Sequence, residues 1–258
     1  MSTRLWNSLY QWLEIVQFRL PPPTCVLCQR RGQPLRDLCQ PCQQSLPALN
    51  QPCPGCALPL PPGTGAALCG QCQQGRTRVH TTVAACRYAE PVSALITRFK
   101  YQRQLAAGRV LTSLLLDRIH AHYRGHNLPQ LLLPVPLHPQ RLRERGYNQS
   151  LLIARDLSQA LRIPLATGLL QRHRRTSPQQ GLSARERRHN LRNAFALSQT
   201  WTSNHYQCVA LVDDVVTTMS TINEIVSVLQ RGGERPPEIH LWCLARAWLD
   251  QDGQARPL

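Results

Sequence analysis

The chain has 258 residues, 42% of them apolar, and 30 basic against 14 acidic side chains give a net charge of +16. At about 150 residues per domain this allows one large domain, or a large and a small one, with enough apolar content for a real core. The charge favours a polyanionic partner (nucleic acid, a phosphorylated metabolite or an anionic surface), and the alternative is a generally basic surface. Only one basic residue, Lys100, is a lysine.

The first twenty residues, MSTRLWNSLYQWLEIVQFRL, are interrupted by Asn7, Gln11, Glu14 and Gln17. They lack the continuous apolar run of a signal peptide or a membrane span. Leu5, Leu9, Leu13 and Val16 share one helical face, which predicts an amphipathic helix over 1–20. Without a signal peptide, the eleven cysteines do not imply a secreted disulfide scaffold; they point to a cytoplasmic protein with reduced thiols.

Residues 21–75 are rich in Pro, Cys, Gly and Gln. Eight cysteines form four C-x-x-C pairs: Cys25/Cys28, Cys39/Cys42, Cys53/Cys56 and Cys69/Cys72. LCQPC closes the first half and LCGQC the second, so the block reads as an internal duplication. A C-x-x-C turn presents two thiolates at the span a tetrahedral zinc needs, and two turns complete the shell. Two structural zinc ions are expected, paired sequentially, with crossed pairing as the alternative. Filled shells leave no position for substrate. A segment so poor in hydrophobes needs the metal to fold, and structural zinc supplies roughly 10–16 kcal/mol of apparent binding energy.

From residue 80 to 250 strands alternate with helices. TTVAACRY (81–88) reads as a strand, and PVSALITRFK (91–100) and AAGRVLTSLLLDRIHAHY (106–123) as helices. LLLPVP (131–136) is a short strand and SLLIARDLSQAL (150–161) a helix. CVALV (208–212) is a buried strand, TINEIVSVLQ (221–230) a helix, and EIHLWCLARAW (238–248) the closing strand. The alternation predicts an α/β domain with a parallel sheet flanked by helices. Cys86, Cys208 and Cys243 fall in strands and read as buried spacers. Residues 172–192 carry seven arginines against one acid, Glu186, and read as an exposed loop, with Ser183 and Glu186 as a capping box.

The stretch LVDDVVTTMST (211–221) ends a buried strand with two acids and a hydroxyl-rich turn. Ligands bind at the carboxyl edge of parallel sheets. Asp213 and Asp214 suit the vicinal hydroxyls of a ribose. Thr217, Thr218, Met219, Ser220 and Thr221 form a turn whose N–H groups and helix dipole suit a phosphate. Two acids and four hydroxyls exceed what one helix cap requires, which places a sugar-phosphate site ahead of a plain cap.

These segments resemble the ComF family, which joins a zinc-ribbon region to a type I phosphoribosyltransferase-like domain. The resemblance runs from about Cys25 to Ala247. It rests on the cysteine pairs, FKY (99–101), PVPLHPQRLRERGYNQS (134–150), QQGLSARERRHNLRNAF (179–195) and LVDDVVTT (211–218). It implies that Asp213 and Asp214 bind ribose hydroxyls and that residues 217–221 cradle a 5′-phosphate. If the chain is an active enzyme, phosphoribosyl pyrophosphate binds with Mg²⁺. Arg141, Arg143 and Arg145 after the LLLPVP strand, with Arg172, Arg174 and Arg175 of a covering flap, would meet pyrophosphate or single-stranded DNA. The family role is DNA uptake or utilisation, beside a helicase or recombination mediator; transfer of phosphoribose to a nucleobase-like acceptor is the alternative. Relatives usually have glycine at position 219. Methionine there implies either an ordinary φ with the side chain turned away, or weaker phosphate binding.

Overall fold

The structure is a computed structural model and describes residues 22–61, 63–65, 67–173, 193–198, 206–232, 236–249 and 255–256. The helix expected over 1–20, the capping box, Arg174, Arg175 and the rest of 174–192 lie outside the described residues. Two compact units divide between Ser45 and Leu46.

The described part of the first unit is a cysteine-bearing loop and one short helix, α1 (Gln40–Gln44). Cys25 N–H donates to the Arg30 carbonyl and Gln29 N–H returns to the Cys25 carbonyl. The second unit begins with the same device: Cys53 N–H donates to the Leu58 carbonyl and Ala57 N–H to the Cys53 carbonyl. In both halves the residue closing the loop, Gln29 or Ala57, takes a positive φ. A short helix then starts within each second pair, α1 after Cys39 and α2 (Gly70–Gln73) after Cys69. The duplication read from the sequence is therefore a duplication of hydrogen bonds as well.

The remainder of the second unit is a four-stranded parallel sheet. Its strands are β1 (Thr81–Arg87), β2 (Leu131–Pro134), β5 (Cys208–Val216) and β6 (Glu238–Arg246), in the order β1-β6-β5-β2. The two central strands are covered on both faces, and so they read VALV and LWCLA with little alternation. The helices are α3 (Val92–Tyr101), α4 (Leu105–His122), α5 (Pro139–Arg145), α6 (Gln149–Leu161) and α7 (Ser220–Arg231). α4 packs on β1 and α6 on β2 and β5. Gly108 of α4 lets that helix close on Phe99 of α3, since an added Cβ would lie 2.5 Å from the ring.

Ile222, Ile225, Val226 and Leu229 of α7 join one core with Leu211, Leu241 and Cys243 of the sheet and with Cys53, Cys56 and Leu58 of the second ribbon. That ribbon is tied to β1 as well: Thr82 Oγ1 donates to the Gly55 carbonyl at 2.7 Å. Shared core and shared hydrogen bonds place the second cysteine half with the sheet.

Among the described residues, the helices and strands predicted from 81 to 248 form. The strand read as CVALV runs on to Val216, because Val215 and Val216 pair with Ala245 and Arg246 of β6. Outside the cysteine block, five elements have no counterpart in the sequence reading: α5, the antiparallel strands β3 (Leu170–Arg172) and β4 (Phe195–Leu197), and the strands β7 (Trp248–Leu249) and β8 (Ala255–Arg256). Cys86 and Cys243 are buried as expected. Cys208 is not; it stands at the start of β5 and is only partly buried.

Candidate functional site

The longer β5 places Asp213 and Asp214 inside the strand, not beyond its end. Successive strand residues point to opposite faces, so the two carboxyls meet different helices. Asp213 Oδ1 accepts from Ser150 Oγ of α6 at 3.0 Å and from the Asp214 N–H at 2.9 Å. Asp214 faces α3, where its Oδ2 lies 3.0 Å from Lys100 Nζ. Burial, with the neighbouring Asp214 charge, pushes Asp213 up to about 7, against the opposing pull of its hydrogen bonds and of Lys100.

The turn from Thr217 to Met219 joins β5 to α7. Met219 has φ 61° and ψ −1°, the left-handed conformation that glycine adopts at little cost. Its side chain is 4% exposed and belongs to the core around α7. The first alternative from the sequence is met only in part. The φ is not ordinary, yet the side chain is turned into the core. Burial of the methionine offsets the backbone strain, and the turn keeps the path a glycine would give it. No side chain caps α7, its first turn holds no acid, and Thr218 Oγ1 lies 3.0 Å from Ser220 Oγ. The uncapped end of the helix dipole and two hydroxyls therefore share one place.

Arg246, which the sequence reading passed over, holds this turn from behind. It is 3% exposed at the end of β6. Its Nη1 donates to the carbonyls of Val216 and Thr217, and to that of Ala247, while Nε donates to the Cys56 carbonyl at 2.7 Å. Burial lowers its pKa, and the charge is met by backbone carbonyl dipoles. One guanidinium so links the second cysteine loop to the turn.

The predicted arginines separate into groups. Arg172 is partly covered, 5.3 Å over the Phe195 ring; burial and the Arg141 charge lower it to about 10, while Asp213 opposes. Arg172 thus feels the charges of both Arg141 and Asp213. Arg143 is exposed on α5. Arg145 is engaged: its Nη1 donates to Gln149 Oε1 and its Nη2 to Tyr101 Oη, with the guanidinium 5.0 Å from the Tyr101 ring. Tyr147 packs by its hydroxyl against the Phe99 carbonyl, whereas Tyr101 is 66% exposed. Gly146 (φ 81°) ends α5, and Asn148 caps α6 by accepting from the Ser150 N–H. Ser150 and Tyr101 were not singled out by the sequence, and Lys100 had no role assigned.

The cysteines gather sequentially into two clusters, Cys25/Cys28/Cys39/Cys42 and Cys53/Cys56/Cys69/Cys72, with all sulfurs of each within 4.8 Å. The contacts Cys28–Cys39 at 3.6 Å, Cys53–Cys72 at 3.7 Å and Cys56–Cys69 at 3.5 Å are far too long for disulfides. They match the edge of a tetrahedron with Zn–S bonds of about 2.3 Å, roughly 3.8 Å. Burial raises Cys25 and Cys53, but backbone N–H groups outweigh it and bring them to about 6 and about 7. The donor sets fit zinc, held for folding.

Two four-cysteine ribbons and a parallel α/β sheet with an acidic strand and a turn at its carboxyl edge define a zinc-ribbon α/β protein. Residues 16–73 match the double zinc ribbon domain. The chain is 43% identical to competence protein F of Haemophilus influenzae over 181 residues, covering 69% of this chain and 78% of that protein. It is 37% identical to DNA utilization protein YhgH of Escherichia coli O157:H7 and 34% identical to that of Salmonella typhi, each over 87% of this chain and 97% of the relative. The chain belongs to the ComF family. Among the described residues no helix is long and apolar enough to cross a membrane.

Proposed function

We propose that this protein is a cytoplasmic DNA-utilisation factor with a phosphoribosyl-pyrophosphate-type site at the carboxyl edge of its sheet. The role in DNA uptake follows the relatives named for competence and DNA utilization. The ligand site rests on the left-handed turn at Met219, which leaves an uncapped helix N-terminus just after the strand that carries Asp213. Ribose hydroxyls donate to Asp213 and Asp214, and the 5′-phosphate takes the N–H groups of residues 217–221. The Asp213 carboxylate also suits a hard cation such as Mg²⁺, which would neutralise pyrophosphate charge when bound.

In sequence, the basic segment 174–192 lies between Arg172 and Phe195, which pair in β3 and β4. Arg172 feels the Asp213 charge, which supports a shared ligand for the two. Pyrophosphate or single-stranded DNA then occupies Arg141, Arg143, Arg172, Arg174 and Arg175; Arg145 is held by Tyr101 and Gln149 and contributes charge at the rim. A helicase or recombination mediator is the protein partner this role calls for. Binding of a single-stranded oligonucleotide at two salt concentrations tests the DNA path. A log–log slope of about −0.7 per neutralised phosphate, reduced by Arg→Ala at 172, 174 and 175, supports it; a slope untouched by those changes refutes it.

A second reading, an active phosphoribosyltransferase, is favoured by the presence of both acids and the glycine-like turn. In that chemistry cations receive the leaving pyrophosphate, and positioning and electrostatics carry the rate. Pyrophosphate release from phosphoribosyl pyrophosphate above the spontaneous rate, in the presence of a nucleobase-like acceptor, distinguishes it from pure binding.

A further inference from the structure

The amino edge of the sheet, opposite the proposed sugar-phosphate site, carries a second set of chemistry-bearing side chains. Cys208 opens β5 and Glu238 opens β6, and the two are register partners. His240 is two residues along β6, so it shares the face of Glu238. The Cys208 sulfur, a Glu238 carboxylate oxygen and a His240 ring nitrogen all lie within 4.8 Å of one another.

We propose that Cys208, Glu238 and His240 form a third metal site, for a borderline divalent transition ion of the zinc type. Three observations carry it. The first is spacing. His240 Nε2 is 3.8 Å from Glu238 Oε2, too long for a hydrogen bond but close to the separation of two ligands around one ion. The second is orientation. The Tyr123 hydroxyl lies 2.6 Å from His240 Nδ1 and accepts from Trp242 Nε1 at 3.2 Å. Metal-bound histidines are held by a partner on the other ring nitrogen, and here that partner is itself fixed by a buried tryptophan. The third is the donor set. One thiolate, one imidazole and one carboxylate suit zinc; Mg²⁺ and Ca²⁺ prefer oxygen alone. On binding, the Cys208 thiol gives its proton to solvent. Three protein ligands leave one position for water on the exposed side of Glu238.

The test is metal content of the full chain, by elemental analysis after equilibration with zinc and removal of the excess. A third equivalent beyond the two four-cysteine clusters is expected, lost first under a mild chelator. Cys208→Ser removes that equivalent and leaves the other two. Glu238→Gln, at an exposed position, weakens it by about tenfold or more. It keeps the test decisive if Cys208→Ser fails to fold. Cobalt in place of zinc reports directly, because a single-thiolate site has a weaker sulfur-to-metal band than a four-thiolate one. Saturation at two equivalents in the wild type overturns the proposal. So does a third equivalent that survives Cys208→Ser, or one whose affinity is unchanged in Glu238→Gln.

Discussion

Lys100 Nζ lies 3.0 Å from Asp214 Oδ2, and Lys100 is the only lysine in a chain with 30 basic residues. An ammonium is a compact point charge, whereas arginine brings a wide planar fork. Asp214 is 8% exposed, so its charge needs this partner. Lys100→Ala is expected to cost about 2 kcal/mol, between an exposed and a fully buried pair. Lys100→Arg should restore the charge yet recover only part of the stability. Thermal denaturation of both variants checks this; full recovery by arginine would show that charge alone matters.

The buried Arg246 guanidinium joins the Cys56 loop to the Val216 and Thr217 carbonyls. Arg246→Leu strands these acceptors and is expected to destabilise the protein by about 3 kcal/mol in urea unfolding. Because the same side chain supports the turn, the variant should also bind phosphoribosyl pyrophosphate less tightly at temperatures where it is fully folded.

Met219 sets two terms against each other. A left-handed residue other than glycine costs about 1–2 kcal/mol, and burying a methionine side chain contributes about 1.5–3 kcal/mol. Met219→Gly relieves the first and loses the second, for a net loss of about 1 kcal/mol. Since the backbone already has the glycine conformation, ligand affinity is expected to stay within about twofold of wild type. A large gain in affinity would mean that the methionine obstructs the phosphate.

Asp213 carries a pH signature. Its folded pKa of about 7 lies above the ordinary 3.8, so the native state holds this proton more tightly than the unfolded chain. Its stabilising contribution is full below about pH 4 and is lost as pH rises through about 7. His240 acts in the opposite sense. Burial brings it from 6.5 to about 4, so stability is gained as pH rises across that interval. Asp213→Asn removes only the first effect. The variant should gain on wild type between about pH 5 and pH 8, by on the order of 2 kcal/mol given partial solvent screening. Unfolding measured at both pH values checks it, and an unchanged difference contradicts it.

Periodicity revealed the sheet and its helices because β5, β6, α4 and α7 bury continuous apolar runs or a single face. Cysteine spacing revealed both ribbons because four-ligand geometry constrains sequence so tightly. What escaped were relations between distant positions. Lys100 and Asp214, or Arg246 and Cys56, meet only through sheet order, which no local pattern encodes. Cys208 looked like a spacer because its strand is apolar, and only register sets it beside Glu238. The division at Ser45 was hidden too, since the two ribbons are alike in sequence.

The most direct measurement is calorimetric titration of the full, zinc-loaded chain with phosphoribosyl pyrophosphate and Mg²⁺. Saturable binding at one site per chain is expected, abolished by Asp213→Asn and retained by Met219→Gly. Absence of binding in the wild type, or undiminished binding in Asp213→Asn, would contradict the assignment of the β5–α7 edge as a sugar-phosphate site.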